Sequence, residues 1–165
     1  MAEIKKWVLE QMEFPEDCNI ILGQSHFIKT IEDLYEALIT ASSSLQFGIA
    51  FCEASGDCLI RHDGNAEDLK KIAVENIQRL SAGHTFIIVL RNGYPINVLD
   101  RIKNCQEVCH VFAATANPIQ VVICESHQGR GVVGVIDGFL PKGVEGDDHI
   151  AARKGLLRDI IGYKR

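Results

Sequence analysis

Two hydrophobic periods alternate along the chain, and each predicts a different kind of element. Ile4–Phe14 and Asn19-Ile20-Ile21-Leu22 read as strands, with Pro15-Glu16-Asp17 as the turn between them. At Thr30 the period lengthens. Ile31, Leu34, Tyr35, Leu38 and Ile39 recur at helical spacing, with Thr30 placed to cap the helix and Ser42-Ser43-Ser44 to end it. Gln46–Ala54 returns to strand, and Asp57–Arg61 is its expected hairpin partner across Ser55-Gly56. Asn65 then stands where a second helix needs a cap. Leu69, Ile72, Ala73, Ile77 and Leu80 form that helix's inner stripe, and Gly83 is the expected left-handed terminator. Thr85–Leu90 reads as a buried strand, and Pro95 opens a short helix that runs to about Asn104. Val108–Ala114, Ile119–Cys124 and Gly131–Ile136 read as three further strands. A last helix, capped by Asp147 or Asp148, is expected to turn Leu156, Leu157, Ile160 and Ile161 inward until Gly162.

Strands interleaved with helices predict one α/β domain over residues 1–165, its sheet covered by helices. The two expected hairpins make that sheet mixed rather than purely parallel. No internal repeat, low-complexity tract or linker interrupts the pattern.

Composition narrows the class. The 165 residues are 47% hydrophobic and 24% charged, too apolar for a disordered chain. A formal net charge of −5 argues against a nucleic-acid partner, because phosphate backbones are held by clustered Lys and Arg. Met1–Phe14 carries charges throughout, unlike a targeting segment. The apolar run Phe86–Leu90 is strand-length and far short of the ~20 residues a bilayer span requires. No membrane partner is expected.

The six cysteines form no CxxC pair. Cys52 and Cys124 lie inside apolar runs, where a thiol acts as a small hydrophobe. Cys105, Cys109 and His110 make the one metal-like cluster, but no fourth ligand follows at a recognisable spacing. Reduced structural thiols, no metal site and a cytoplasmic setting are the expectation.

Two glycine-rich stretches fail as phosphate loops. Gly129-Arg130-Gly131-Val132-Val133-Gly134 has the G-x-G-x-x-G spacing, yet the residues after it read as strand rather than as the helix that holds a pyrophosphate. Gly138–Gly143 has a P-loop gap but runs on into Val144-Glu145. The chain contains no His-Arg-Asp, no Asp-Phe-Gly and no Gly-x-Ser-x-Gly.

Several segments taken together resemble the adenosine-specific kinase family. They are Gly23-Gln24-Ser25-His26-Phe27-Ile28-Lys29-Thr30, Phe51-Cys52-Glu53-Ala54-Ser55-Gly56 and Ala82-Gly83-His84-Thr85-Phe86. They continue with Tyr94–Leu99, Ala113–Pro118, Gly129-Arg130-Gly131 and Gly134–Gly138, and the resemblance runs on to Ile161-Gly162-Tyr163-Lys164. It implies a three-layer α/β/α sandwich and a homo-oligomer, expected to be a trimer. It also implies binding of adenosine or AMP and a histidine that carries a phosphoryl group. A kinase normally needs ATP with Mg²⁺, for which the sequence offers no recognisable ligands, and the alternative is no cofactor.

The matching segment Ala82-Gly83-His84-Thr85-Phe86 makes that histidine His84, and an imidazole can supply a neutral nucleophile near neutral pH. The plainer reading is a strand-start histidine satisfied by backbone. Glu53 and Asp137 follow apolar strands and can orient the histidine or hold a ribose hydroxyl, or be solvated strand ends. Asn97 and Asn117 can read an adenine edge, or serve helix and turn chemistry. Arg130 can grip a phosphate, and Lys29 can meet one at the Thr30 helix start, against surface roles for both. His26 is the alternative to His84, since its loop precedes a capped helix. The rival to a phosphotransferase is a non-catalytic nucleoside-binding regulatory module on the same scaffold.

Overall fold

The computed structural model describes residues 3–163. In chain order its elements are β1 (Lys6–Gln11), β2 (Cys18–Ser25), α1 (Thr30–Ile39), β3 (Gln46–Cys52), β4 (Ile60–Gly64), α2 (Glu67–Leu80) and β5 (Thr85–Arg91). A 3-10 turn over Pro95–Asn97 leads into α3 (Leu99–Lys103), followed by β6 (Val108–Thr115), β7 (Ile119–Glu125), β8 (Arg130–Asp137) and α4 (Asp147–Gly155), which runs into a π-helical turn, Leu156–Ile160.

The strands build two sheets, ordered β4-β3-β5-β2-β6 and β1-β7-β8, and every pairing within them is antiparallel. This corrects the expectation of one mixed sheet. The α1 crossover does send β2 and β3 in the same direction, but β5 inserts between them and runs against both, so parallel strands never become neighbours. After β6, Asn117-Pro118 carries the chain out of the central sheet. There β7 pairs with β1, Trp7 opposite Cys124, and with β8.

Alternation along the central strands sends side chains to two cores. On one face Ile20, Leu22, Ala50, Ile87 and Val89 pack with Leu69, Ala73, Ile77 and Leu80 of α2 and with Val121 and Ile123 of the small sheet. On the other, Ile21, Phe47, Ile49, Phe51, Phe86 and Ile88 meet Ile31, Leu34 and Leu38 of α1 and Ile102 of α3. Each Val, Leu, Ile or Phe among them contributes roughly 1.5–3 kcal/mol when fully buried. At Gly48, α2 lies so close to β3 that an added Cβ would stand 2.2 Å from the Lys70 backbone nitrogen. Only glycine fits there.

Local chemistry departs from the expected caps. Thr30 is the first residue of α1 rather than its cap, and its hydroxyl contacts Ser25 Oγ at 2.5 Å and donates to the Phe27 carbonyl. Asn65 does not cap α2 either. Its side chain accepts from Phe47 N and donates to Leu45 O, which ties the end of β4 to the start of β3 at the open end of the hairpin. The left-handed residue that ends α2 is Ser81 (φ 47°), and the next positive φ belongs to His84 (φ 60°) rather than to Gly83. The β3–β4 turn is longer than expected and contains Gly56 (φ 58°) and Cys58 (φ 52°), which pushes β4 on to Ile60–Gly64.

The C-terminal helix is the largest departure. Neither α4 nor the π-helical turn contains a buried residue, and Leu156, Ile160 and Ile161 are 46%, 79% and 60% exposed rather than turned inward. Beyond β8 the chain has left both sheets, so this apolar stripe finds no core of its own to enter. No described helix is long and apolar enough to cross a membrane.

Candidate functional site

Three neighbouring strand ends, those of β2 at Ser25 and β3 at Cys52 and the start of β5 at Thr85, converge on one edge of the central sheet. His84 sits among them. Its backbone N–H donates to Cys52 O (2.8 Å) and its carbonyl accepts from Ser25 N (2.9 Å). A left-handed backbone is uncommon for a residue with a Cβ, and such conformations cluster where surrounding structure enforces them for function. The imidazole lies flat against Phe51, with ring centroids 5.9 Å apart and planes 6° from parallel. Backbone clamp and aromatic floor together fix the ring's position.

Glu53, one residue beyond β3, faces that ring with Oε1 3.7 Å from His84 Nε2. The same oxygen accepts from Ala54 N and Ser55 Oγ, both at 3.1 Å, and Oε2 lies 3.1 Å from Arg61 Nε. Burial works to raise the Glu53 pKa. The hydrogen bonds from Ser55 and Ala54, with the charges of Arg61 and His84, outweigh burial and hold it below the ordinary glutamate value. The carboxylate is thus ionised and stiffly held beside a half-exposed imidazole.

A cavity of about 660 Å³ opens in front of this pair, lined by His84, Glu53, Arg61, His26, Phe27 and Ile28 and by the turn Ser55–Leu59. That volume falls within the range of small-molecule sites, roughly 300–1,000 Å³. Phe27 and Ile28 are about half exposed, so one wall is apolar and open while the opposite wall carries charge. Such a surface suits a flat heterocycle with a polar or anionic appendage. Arg61 and Ser55 were not singled out from sequence. The observed hairpin register sets Arg61 opposite Phe51, two residues before Glu53, and the longer turn that fixes this register has no signal in the sequence.

Arg130 lines a second cavity, of about 640 Å³, on the far side of Glu53 with Ser126, Gly129 and Gly131. Its guanidinium is already engaged: Nε donates to Glu125 Oε2 (2.8 Å) and Nη1 to Arg79 O (3.0 Å), joining the C-terminal end of α2 to the small sheet. Lys29 follows Ile28 but pairs with Asp33 and lies 3.7 Å from the buried Glu107. The hydrogen bond to Asp33 is the main cause that raises its pKa. His26 shares the cavity with His84, and its backbone N–H donates to Glu107 O.

Asn97, Asn117 and Asp137 stand elsewhere. They lie beyond the Arg91 end of β5 and the Thr115 end of β6, so the length of β5, about 20 Å, separates them from His84. Asn97 Oδ1 accepts from Tyr94 N (2.8 Å). Asp137 Oδ1 accepts from Thr115 Oγ1 (2.8 Å) and Asn117 Nδ2 (3.1 Å). Within one chain, then, the structure unites His84, Glu53 and His26, sets Lys29 and Arg130 at the margins, and holds the other three apart.

All six cysteines are free, and burial is the leading cause that raises the pKa of the Cys18, Cys52 and Cys105 thiols. Among the described residues no three His, Cys, Asp or Glu side chains are grouped to hold a metal ion.

Comparison with known proteins places this geometry in context. The sequence model described as adenosine specific kinase matches residues 10–164. The crystal structure of the PH1918 protein from Pyrococcus horikoshii OT3 is similar to this chain at 40% identity and a TM-score of 0.92, covering 100% of this chain and 99% of that one. None of the curated proteins compared matches. The chain belongs to the adenosine specific kinase family.

Proposed function

We propose that this member of the adenosine specific kinase family binds adenosine or AMP in the cavity before His84 and carries a phosphoryl group on that histidine. The observation that carries the reading is the histidine itself: held in a left-handed backbone, stacked on Phe51, and faced by an ionised carboxylate at the rim of a ligand-sized cavity.

Each neighbour then has a part in the chemistry. Glu53 beside Nε2 favours the tautomer protonated there, which leaves the Nδ1 lone pair as nucleophile. Attack forms an Nδ1–P bond as the phosphoanhydride P–O bond of an ATP-class donor breaks and the diphosphate departs with the electron pair. The positive charge gained by the ring is set against Glu53. Transfer onward to a hydroxyl of the nucleoside forms a P–O bond and breaks P–N, and the hydroxyl proton goes to the ring nitrogen. Arg61 keeps its two terminal nitrogens beyond the one beside Glu53, and these suit a phosphate oxygen. Phe27 and Ile28 supply the apolar wall for a base. Mg²⁺, when bound, would neutralise charge on the transferred phosphoryl. A homo-oligomer, expected as a trimer, and a cytoplasmic setting that keeps the thiols reduced complete the reading.

Two measurements test it. A ligand at ~100 times its Kd adds about 2.7 kcal/mol, which for a domain of this size raises Tm by roughly 5–10 °C. Adenosine should give that shift and guanosine should not; equal shifts reject the adenosine reading. Intact mass of freshly purified protein, before and after mild acid, should reveal a labile phosphate. Its absence under every condition, with adenosine binding intact, favours the non-catalytic nucleoside-binding module.

A further inference from the structure

The body of the molecule ends at Asp137, and Gly138–Tyr163 forms an arm in which α4 continues directly into the π-helical turn and neither packs substantially on any strand or other helix. Large apolar side chains of the arm stand exposed: Phe139 84%, Leu140 89%, Val144 98%, Ile160 79%, Ile161 60% and Tyr163 63%. At about 150–200 Å² for each large side chain, scaled by these exposures, the six offer at most on the order of 800 Å². One partner of a standard stable interface contributes roughly the same area, about 800 Å².

The same chain leaves a second apolar surface open. In β1, Val8 packs into the core while Trp7 and Leu9, on the opposite face, are 61% and 53% exposed. Register continues that face across the small sheet, with Leu9 opposite Val122 and Val122 opposite Gly134. A Cβ at Gly134 would meet nothing within 4 Å, and Ile136 on the same strand is 48% exposed. The result is a flat apolar trough of the kind that marks an interaction site.

We infer that the arm of one copy docks on the outer face of the β1-β7-β8 sheet of a second copy. Both halves of the contact lie unfilled in one chain, and exchange between copies fills both with a single repeated interface. The likeness to the solved structure covers all of this chain, the arm included.

The full-length protein tests this by sedimentation equilibrium at tens of micromolar. The wild type should weigh a whole-number multiple of one chain. An arm variant (Phe139→Ser, Leu140→Ser, Ile160→Asp) and a face variant (Trp7→Glu, Leu9→Lys) change only residues exposed within one chain, so both should stay folded by circular dichroism, with at most the fall in Tm that loss of a partner brings. Each alone should fall to single-chain mass. Mixed in equal amounts they should associate again, because one supplies an intact face and the other an intact arm. A wild type at single-chain mass, as when the arm folds back on its own sheet, overturns the proposal. So does a multiple that survives both variants, or one that only the arm variant disrupts, which would move the seat elsewhere. Adenosine shifts measured on the same samples keep this outcome separate from the functional reading.

Discussion

The two ends of the central sheet are both rich in polar side chains, and both are built from segments that carry the family resemblance. At the far end a cavity of about 480 Å³ is lined by Asp17, Asn19, Asn92, Gly93, Tyr94 and Asn97. Most of the amides there have partners, Asn92 excepted: Asn19 Nδ2 donates to Gly93 O, Asn97 Oδ1 accepts from Tyr94 N, and nearby Asp137 holds both Thr115 and Asn117. At the near end Glu53 is held by neighbours, but the His84 ring makes only a stacking contact and a 3.7 Å approach to a carboxylate. Polar groups already satisfied by the fold gain little from a ligand, while unsatisfied ones beside an apolar wall gain much. Polarity marks both ends, and the pairing of an unsatisfied imidazole with the apolar wall of Phe27 and Ile28 separates them.

That contrast breaks most sharply at His84. His84→Asn keeps approximate size and removes the nucleophile, so acid-labile phosphate and ATP-dependent transfer should vanish completely while adenosine still raises Tm. If label persists in His84→Asn and disappears in His26→Asn, the near end is correct and the histidine is the other one.

Glu53→Gln comes next. It should slow phosphoryl transfer about 10²-fold through loss of the orienting charge. It should also change the acid limb of stability. A carboxyl whose folded pKa is depressed stabilises fully above its unfolded value, about 4.3, and that stabilisation is lost as pH falls through the folded value. The Tm gap between wild type and variant should therefore close below about pH 4.3. A gap independent of pH would show that Glu53 acts by packing alone.

Far-end changes should cost stability and spare the ligand. Asp137→Ala leaves the Thr115 hydroxyl and the Asn117 amide without their acceptor, at about 1–3 kcal/mol in denaturant unfolding. Asn97→Ala removes one acceptor at a 3-10 turn and should cost about 1 kcal/mol. Adenosine affinity should stay within about twofold in both, since neither side chain reaches the near cavity (each factor of ten is ~1.4 kcal/mol). A tenfold loss in either would mean that the far end of one copy completes the near end of another.

Strand positions were legible because a half-buried or buried strand must alternate or run apolar, and β2, β3, β5, β6, β7 and β8 all lie on such runs. Caps were less so. Thr30 and Asn65 have the right chemistry for an N-cap, but a tertiary partner, Ser25 in one case and the Phe47–Leu45 strand in the other, claimed each side chain first. Glu53 and His84 were legible as candidates, whereas Arg61 was hidden because its role depends on the length of the hairpin turn before it.

The sequence by itself determined the α/β class, the apolar stripes of α1 and α2 and the run of core strands, all of which follow from periodicity within a dozen residues. Tertiary structure alone decided that β5 would part β2 from β3 and make both sheets antiparallel. It alone gathered His84, Glu53 and Arg61 while holding Asn97, Asn117 and Asp137 a strand's length away. It also left the C-terminal stripe without a core. Periodicity records which side of an element is apolar, but not which surface meets that side, because the contact is made between segments tens of residues apart.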